Sequence, residues 1–229
     1  MSADIHSAVR IVSLVLLLPL LCLVSEAEPK PQPPEEDALQ PVQNDNLLEI
    51  LGKAEKASAK GKVLEEFQKH PKAQRLATLA YALKERKHTQ AALQVIIDNQ
   101  DMKDRRLTPF LAKTMETAEG KDLMLCARVA KHVPDPVLLR PLIERALDSE
   151  YVEVKRAGGA GGSIEFSYHS AFAEAAEAIY CITDGKIGSE KIRRDKPTSK
   201  EEKDILIQKW KKAWAEIQEE KETSVPPPQ

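Results

Sequence analysis

Apolar residues recur along most of this chain at the i, i+3, i+4, i+7 spacing that lines one face of an α-helix. Leu47, Ile50, Leu51 and Ala54 set the pattern, and Val63, Leu64 and Phe67 mark a short second helix ended by His70-Pro71. Leu76, Leu79, Ala80 and Leu83 predict a third helix, and after a turn near Lys87 and His88 the residues Ala92, Val95 and Ile96 predict its return. Leu107, Phe110, Leu111 and Ala118 predict a fifth, with Gly120 as its expected stop, and Leu123, Ala127 and Ala130 a sixth. Asp135-Pro136 opens a seventh, the aspartate accepting from orphan amides and the proline sitting where its missing N–H costs little. Its inward residues are Leu139, Leu142, Ile143 and Ala146. Phe172, Ala175, Ala176, Ile179 and Ile182 predict an eighth, ending at Asp184-Gly185, and Leu206, Trp210, Ala213, Trp214 and Ile217 a ninth. Short connections make consecutive helices antiparallel.

The period changes once. Val152 and Val154, then glycines 158, 159, 161 and 162, then Ile164, Phe166 and Tyr168 alternate with a period of two on both sides of a turn, which predicts an inserted β-hairpin near 151–168. Strand, Gly-Gly-Ala-Gly-Gly, strand matches neither a phosphate-binding loop nor a dinucleotide fingerprint, so the glycines serve the turn. The expected fold is all-α, an irregular α-solenoid of antiparallel helix pairs carrying this hairpin.

Ahead of the helices, Arg10, the apolar run Ile11 to Val24 and the small residues Ser25 and Ala27 read as a signal peptide over 1–27. The run is shorter than the roughly 20 residues that span a bilayer and is interrupted by Ser13 and Pro19, so no membrane span is expected after cleavage. Leu21, bulky where a lipoprotein signal has a small residue, argues against a lipid on Cys22. Residues 28–45 read as a proline- and acid-rich linker, 46–222 as the helical repeat domain and 223–229 as a disordered, proline-rich tail. The expected location is exported, periplasmic or secreted. There Cys126 and Cys181, both within apolar helical patterns, read as buried thiols, with a bridge between them left open.

Charge narrows the partner. The formal net charge is -2, it changes little when the leader is removed, and its even spread leaves no footprint for nucleic acid. Of the mature histidines His70, His88, His132 and His169, none lies in a metal-binding spacing. Glu174 and Glu177, one helical turn apart near His169, come nearest to an acid–base or metal constellation, and they read as a solvated helix start. No catalytic, cofactor-binding or metal residue is expected.

Leu142, Ile143, Ala146, Leu147 and Asp148 resemble the first helix and turn of a HEAT-like α-solenoid repeat. Val154, Lys155, Arg156 and Ala157 resemble the start of the second helix, and Ala173 to Gly185 its end. Ile182, Thr183, Asp184 and Gly185, followed by Trp210 and Trp214, are similar to the closing turn and tryptophan-bearing helix of exported bacterial HEAT-like proteins. The resemblance spans roughly Asp104 to Glu219, split by the glycine-rich insertion. Leu79, Ala80, Ala91, Ala92 and Leu93 look closer to a tetratricopeptide pair.

Such stacks present an extended surface to another macromolecule. The expected function is therefore a non-catalytic, exported protein–protein interaction scaffold, with Phe166, Tyr168, Trp210 and Trp214 as candidate partner contacts. A structural spacer at the cell envelope is the alternative, and a hydrolase or lyase on a helical toroid ranks last. Partner identity and oligomeric state stay open.

Overall fold

Among the described residues the helical stripes fall on nine α-helical segments, the seventh of them a single turn, and the one stretch of period two becomes a two-stranded antiparallel sheet. The computed structural model describes residues 38–56, 60–158, 164–188, 190, 192 and 198–223, which belong to one unit, Ala38–Gln229. The expected signal peptide, most of the expected linker, the expected glycine turn at 159–163 and the expected tail from 224 lie outside the described residues.

Helices α1 (Asp45–Lys56), α2 (Lys60–Gln68), α3 (Lys72–Lys84) and α4 (Thr89–Asp98) are followed by α5 (Thr108–Thr117) and α6 (Gly120–His132). A short turn, α7 (Leu139–Pro141), runs into a π-helical turn, Leu142–Ala146. Strands β1 (Val152–Gly158) and β2 (Ile164–Ser170) come next, then α8 (Ala171–Ile182) and α9 (Lys200–Thr223).

The starts obey local chemistry. Asn44 Oδ1 accepts from Leu47 N–H at 3.2 Å, Asp104 from Arg106, Asp135 from Val137, and Ser170 Oγ from Ala173 N–H at 3.1 Å. The π turn follows Pro141, which brings no N–H to the ladder, and is closed by Leu147 N–H donating to Leu142 C=O at 3.1 Å.

Packing joins the helices beyond sequence neighbours. α1 lies on α2 and α4, α4 on α6 and α6 on α8, while α3 lies on α5 and α5 on the π turn. The contact between α6 and α8 is the most extensive among the helices. Ala127 and Ala130 of α6 and Ala175, Ala176 and Ala178 of α8 are buried, and such short side chains let helix backbones approach closely. One continuous apolar cluster runs from Leu47 on α1 to Trp210 on α9.

Several expectations are corrected. Gly120 opens α6 with a φ of +52°, and it is Ala118 that closes α5. The side of Gly120 is covered by the Tyr151 ring, 3.5 Å from where a Cβ would stand. Val154 to Ala157 lie in β1, so no repeat helix begins there; alternation of β-branched residues beside the glycines outweighed the local likeness. Cys126 is buried but Cys181 is exposed, because it falls on the outer side of α8, and both are free thiols.

At the other end, His88 takes a left-handed conformation and lays its ring on α1. Its Nδ1 lies 3.0 Å from Glu55 Oε2. Gly52 makes room: a Cβ there would stand 2.8 Å from His88 Cε1.

Candidate functional site

Alternation gives the hairpin two faces, and the strand register says which residues share them. Val152 pairs with Ser170, Val154 with Tyr168 and Arg156 with Phe166, so these six lie on one side. Glu153 pairs with His169 and Lys155 with Ser167 on the other.

The polar side is the one tied to the helices. Arg128 of α6 donates from Nε (3.1 Å) and Nη2 (2.8 Å) to Glu174 Oε1 of α8, and Glu174 is only 1% exposed. Arg128 Nη2 also lies 3.4 Å from His169 Nδ1, and His169 Nε2 lies 3.2 Å from Ser167 Oγ. Lys121 of α6 stands 3.8 Å from Glu153, and Ala171 N–H donates to Tyr151 C=O at 3.3 Å. A chain of polar contacts thus runs from two helices through β2, while the hairpin base is pinned beside the start of α6.

The apolar side is left outward. Val152 is 44%, Val154 52% and Phe166 51% exposed, and Tyr168 is half-buried. A two-stranded ribbon ordinarily buries its apolar side; here the buried Arg128–Glu174 pair lies beneath, and a hydrophobic face could not satisfy it. Of the predicted contacts, Phe166 and Tyr168 are therefore brought together on one surface with Val152 and Val154.

The two tryptophans go elsewhere. Trp210 is 1% exposed and stacks on Phe172 of α8 with centroids 5.6 Å apart and planes at 15°. Its Nε1 donates to Glu190 Oε2 at 2.7 Å, and Lys209 also reaches Glu190. Burial acts to raise the Glu190 carboxyl, but the donors Lys209 and Trp210 outweigh it and hold it below the usual carboxylate range. Lys203 donates to Ser149 C=O at 2.8 Å and Lys211 pairs with Asp148 at 2.8 Å, fastening α9 alongside. Trp210 is thus withdrawn from any partner, and Trp214 is half-buried against the core.

Ser167, His169 and Glu174 stand in the order of a hydrolytic triad, yet their partners oppose that chemistry. Arg128 can only donate, so its contact with Nδ1 assigns the ring proton to Nε2, facing Ser167. A base that activates serine needs the opposite tautomer. The nearest carboxylate oxygen, Glu174 Oε1, is 3.7 Å from Nδ1 and already takes both Arg128 donors.

Glu177 pairs with Lys131 at 2.7 Å, so the two glutamates each meet a cation of α6. Among the described residues no group of three or more His, Cys, Asp or Glu side chains is placed to hold a metal ion. A polar cleft of about 260 Å³ lies beside the π turn, lined by Glu116, Arg140, Pro141, Glu144 and Arg145. Its charges balance, and Arg140 already pairs with Glu144 at 3.0 Å.

Sequence reasoning missed Arg128, which joins Glu174 of α8 to His169 on the polar side of the hairpin. Its signal was a lone guanidinium inside the apolar run from Leu123 to Ala130. No helix among the described residues is long and apolar enough to cross a membrane. No known protein family, characterised protein or solved structure matches this chain.

Proposed function

We infer that this protein is a non-catalytic, exported interaction scaffold: a HEAT-like α-solenoid whose inserted hairpin makes the specific contact with a protein partner. The helix pairs α3–α4 and α5–α6, and the π turn with α8, support the solenoid reading, since equivalent members of successive pairs also touch. The observation that carries the function is the inverted hairpin, which spends its polar side on Arg128 and leaves Val152, Val154 and Phe166 to solvent. Exposed aromatic and β-branched side chains on a pinned ribbon offer contact area at little cost in conformational entropy. α9 serves the scaffold by covering Phe172 with Trp210.

The test is affinity capture from exported and envelope proteins of the host, with wild type and Phe166→Ser compared. A saturable partner is expected, with binding weakened by about 2 kcal/mol, roughly 30-fold, in the variant. Equal capture by both proteins removes the hairpin from the interface. Failure of a folded wild-type sample to enrich any protein favours the envelope spacer instead.

A further inference from the structure

The sheet has only two strands, so among the described residues both of its lateral edges lack a neighbouring strand. Unpaired edges recruit other strands unless they are blocked, and two strands alone form a marginal sheet. β2 continues directly into α8, and β1 carries Val154, Lys155 and Arg156 exposed along its length. No proline or bulge interrupts β1, whose register to β2 is continuous from Val152 to Gly158, and its charges block an arriving strand that does not bring complementary ones.

We propose that β1 pairs antiparallel with β1 of a second copy of this chain, joining two hairpins into a four-stranded sheet about a two-fold axis through Val154. Charge complementarity selects this occupant and this register. A two-fold axis perpendicular to the sheet keeps each face on its own side, so residues can only oppose others of the same parity. Centred on Val154, the pairing sets Glu153 against Lys155 of the second copy, twice by symmetry, and Val154 against its own equivalent. Moving the centre to Glu153 opposes two carboxylates, and moving it to Lys155 opposes two ammonium groups. Like charges directly opposite are destabilising and opposite charges favourable, so one register stands out. Glu153 can take this second cation, since its contact with Lys121 at 3.8 Å is a charge contact without a hydrogen bond.

The inference rests on the hairpin being a contact element and extends that reading. The joined sheet doubles the outward apolar face, leaving Val152, Val154, Phe166 and Tyr168 of both copies on one side for the partner. It also defines a site the single chain does not complete.

Sedimentation velocity on the purified protein tests the pairing without any partner. The wild type is expected to dimerise, and Glu153→Lys or Lys155→Glu alone to raise the dissociation constant by about 30-fold, because each turns two attractive pairs into two repulsive ones. An equimolar mixture of the two variants places opposite charges at both paired positions and is expected to restore a dimer, which also shows that both variants are folded. A wild type that sediments as a monomer at every concentration, a dimer that survives either reversal, or a mixture that stays monomeric overturns the proposal. Phe166→Ser is expected to dimerise normally while losing the partner, so failure of the pairing and failure of the scaffold reading are told apart.

Discussion

Replacing Arg128 by methionine tests why the hairpin faces as it does. The substitution keeps an unbranched chain of similar reach but leaves the Glu174 carboxylate, 1% exposed, without the two donors that converge on its Oε1. Removing one member of a buried ion pair typically costs 3–5 kcal/mol, and about 3 is expected here because Arg128 keeps some access to water. With an m-value of about 2 kcal/mol/M in urea, the unfolding midpoint should fall by about 1.5 M. The double variant Arg128→Met/Glu174→Leu removes both charges and should return to within about 1 kcal/mol of wild type, since well-packed apolar pairs often replace buried ion pairs without loss. Urea unfolding followed by circular dichroism gives both numbers and their coupling. Hydrogen exchange adds a local readout: β2 amides should lose protection in both variants, because Arg128 also reaches His169. The reasoning fails if Arg128→Met costs less than about 1 kcal/mol, or if the double variant is no more stable than the single.

Three further outcomes are expected. Burial raises the Cys126 thiol far above its ordinary pKa, so a thiol reagent at neutral pH should label exposed Cys181 in the native protein and Cys126 only on unfolding; peptide mass spectrometry reads the order. Glu190 is held below its unfolded value, so its contribution is fully present above the ordinary carboxylate pKa and is lost as pH falls through the lowered one; acid titrations of wild type and Glu190→Gln should diverge only above that lowered range, with wild type the more stable. Gly52→Ala should forfeit the roughly 1 kcal/mol that alanine normally adds to a helix, because its Cβ meets the His88 ring at 2.8 Å, whereas in a His88→Ala background the same change should stabilise; thermal unfolding of the four proteins decides.

Much of the secondary structure was legible because it is local. Asp135 and Pro136 sit side by side in the chain, and the aspartate's acceptance from Val137 N–H spans two residues. The hairpin was legible because alternating Val152 and Val154 mirror Phe166 and Tyr168 across the glycines. Where local signals competed, the reading erred: Gly120 looked like a helix stop and instead supplies a left-handed start beneath Tyr151. Trp214 and Trp210 share a stripe, yet only the fold separates a half-buried indole from one stacked on Phe172.

The sequence by itself determined where helices and strands form and which residues share a face, because those depend on contacts within a few positions. Only the tertiary structure decided which hairpin face turns inward. Periodicity is symmetric between the two faces, and the Arg128–Glu174 pair that the polar face meets assembles from 46 residues apart, once α6 and α8 pack. The same holds for Cys181 and Trp210, whose exposure is set by neighbours that no local pattern names.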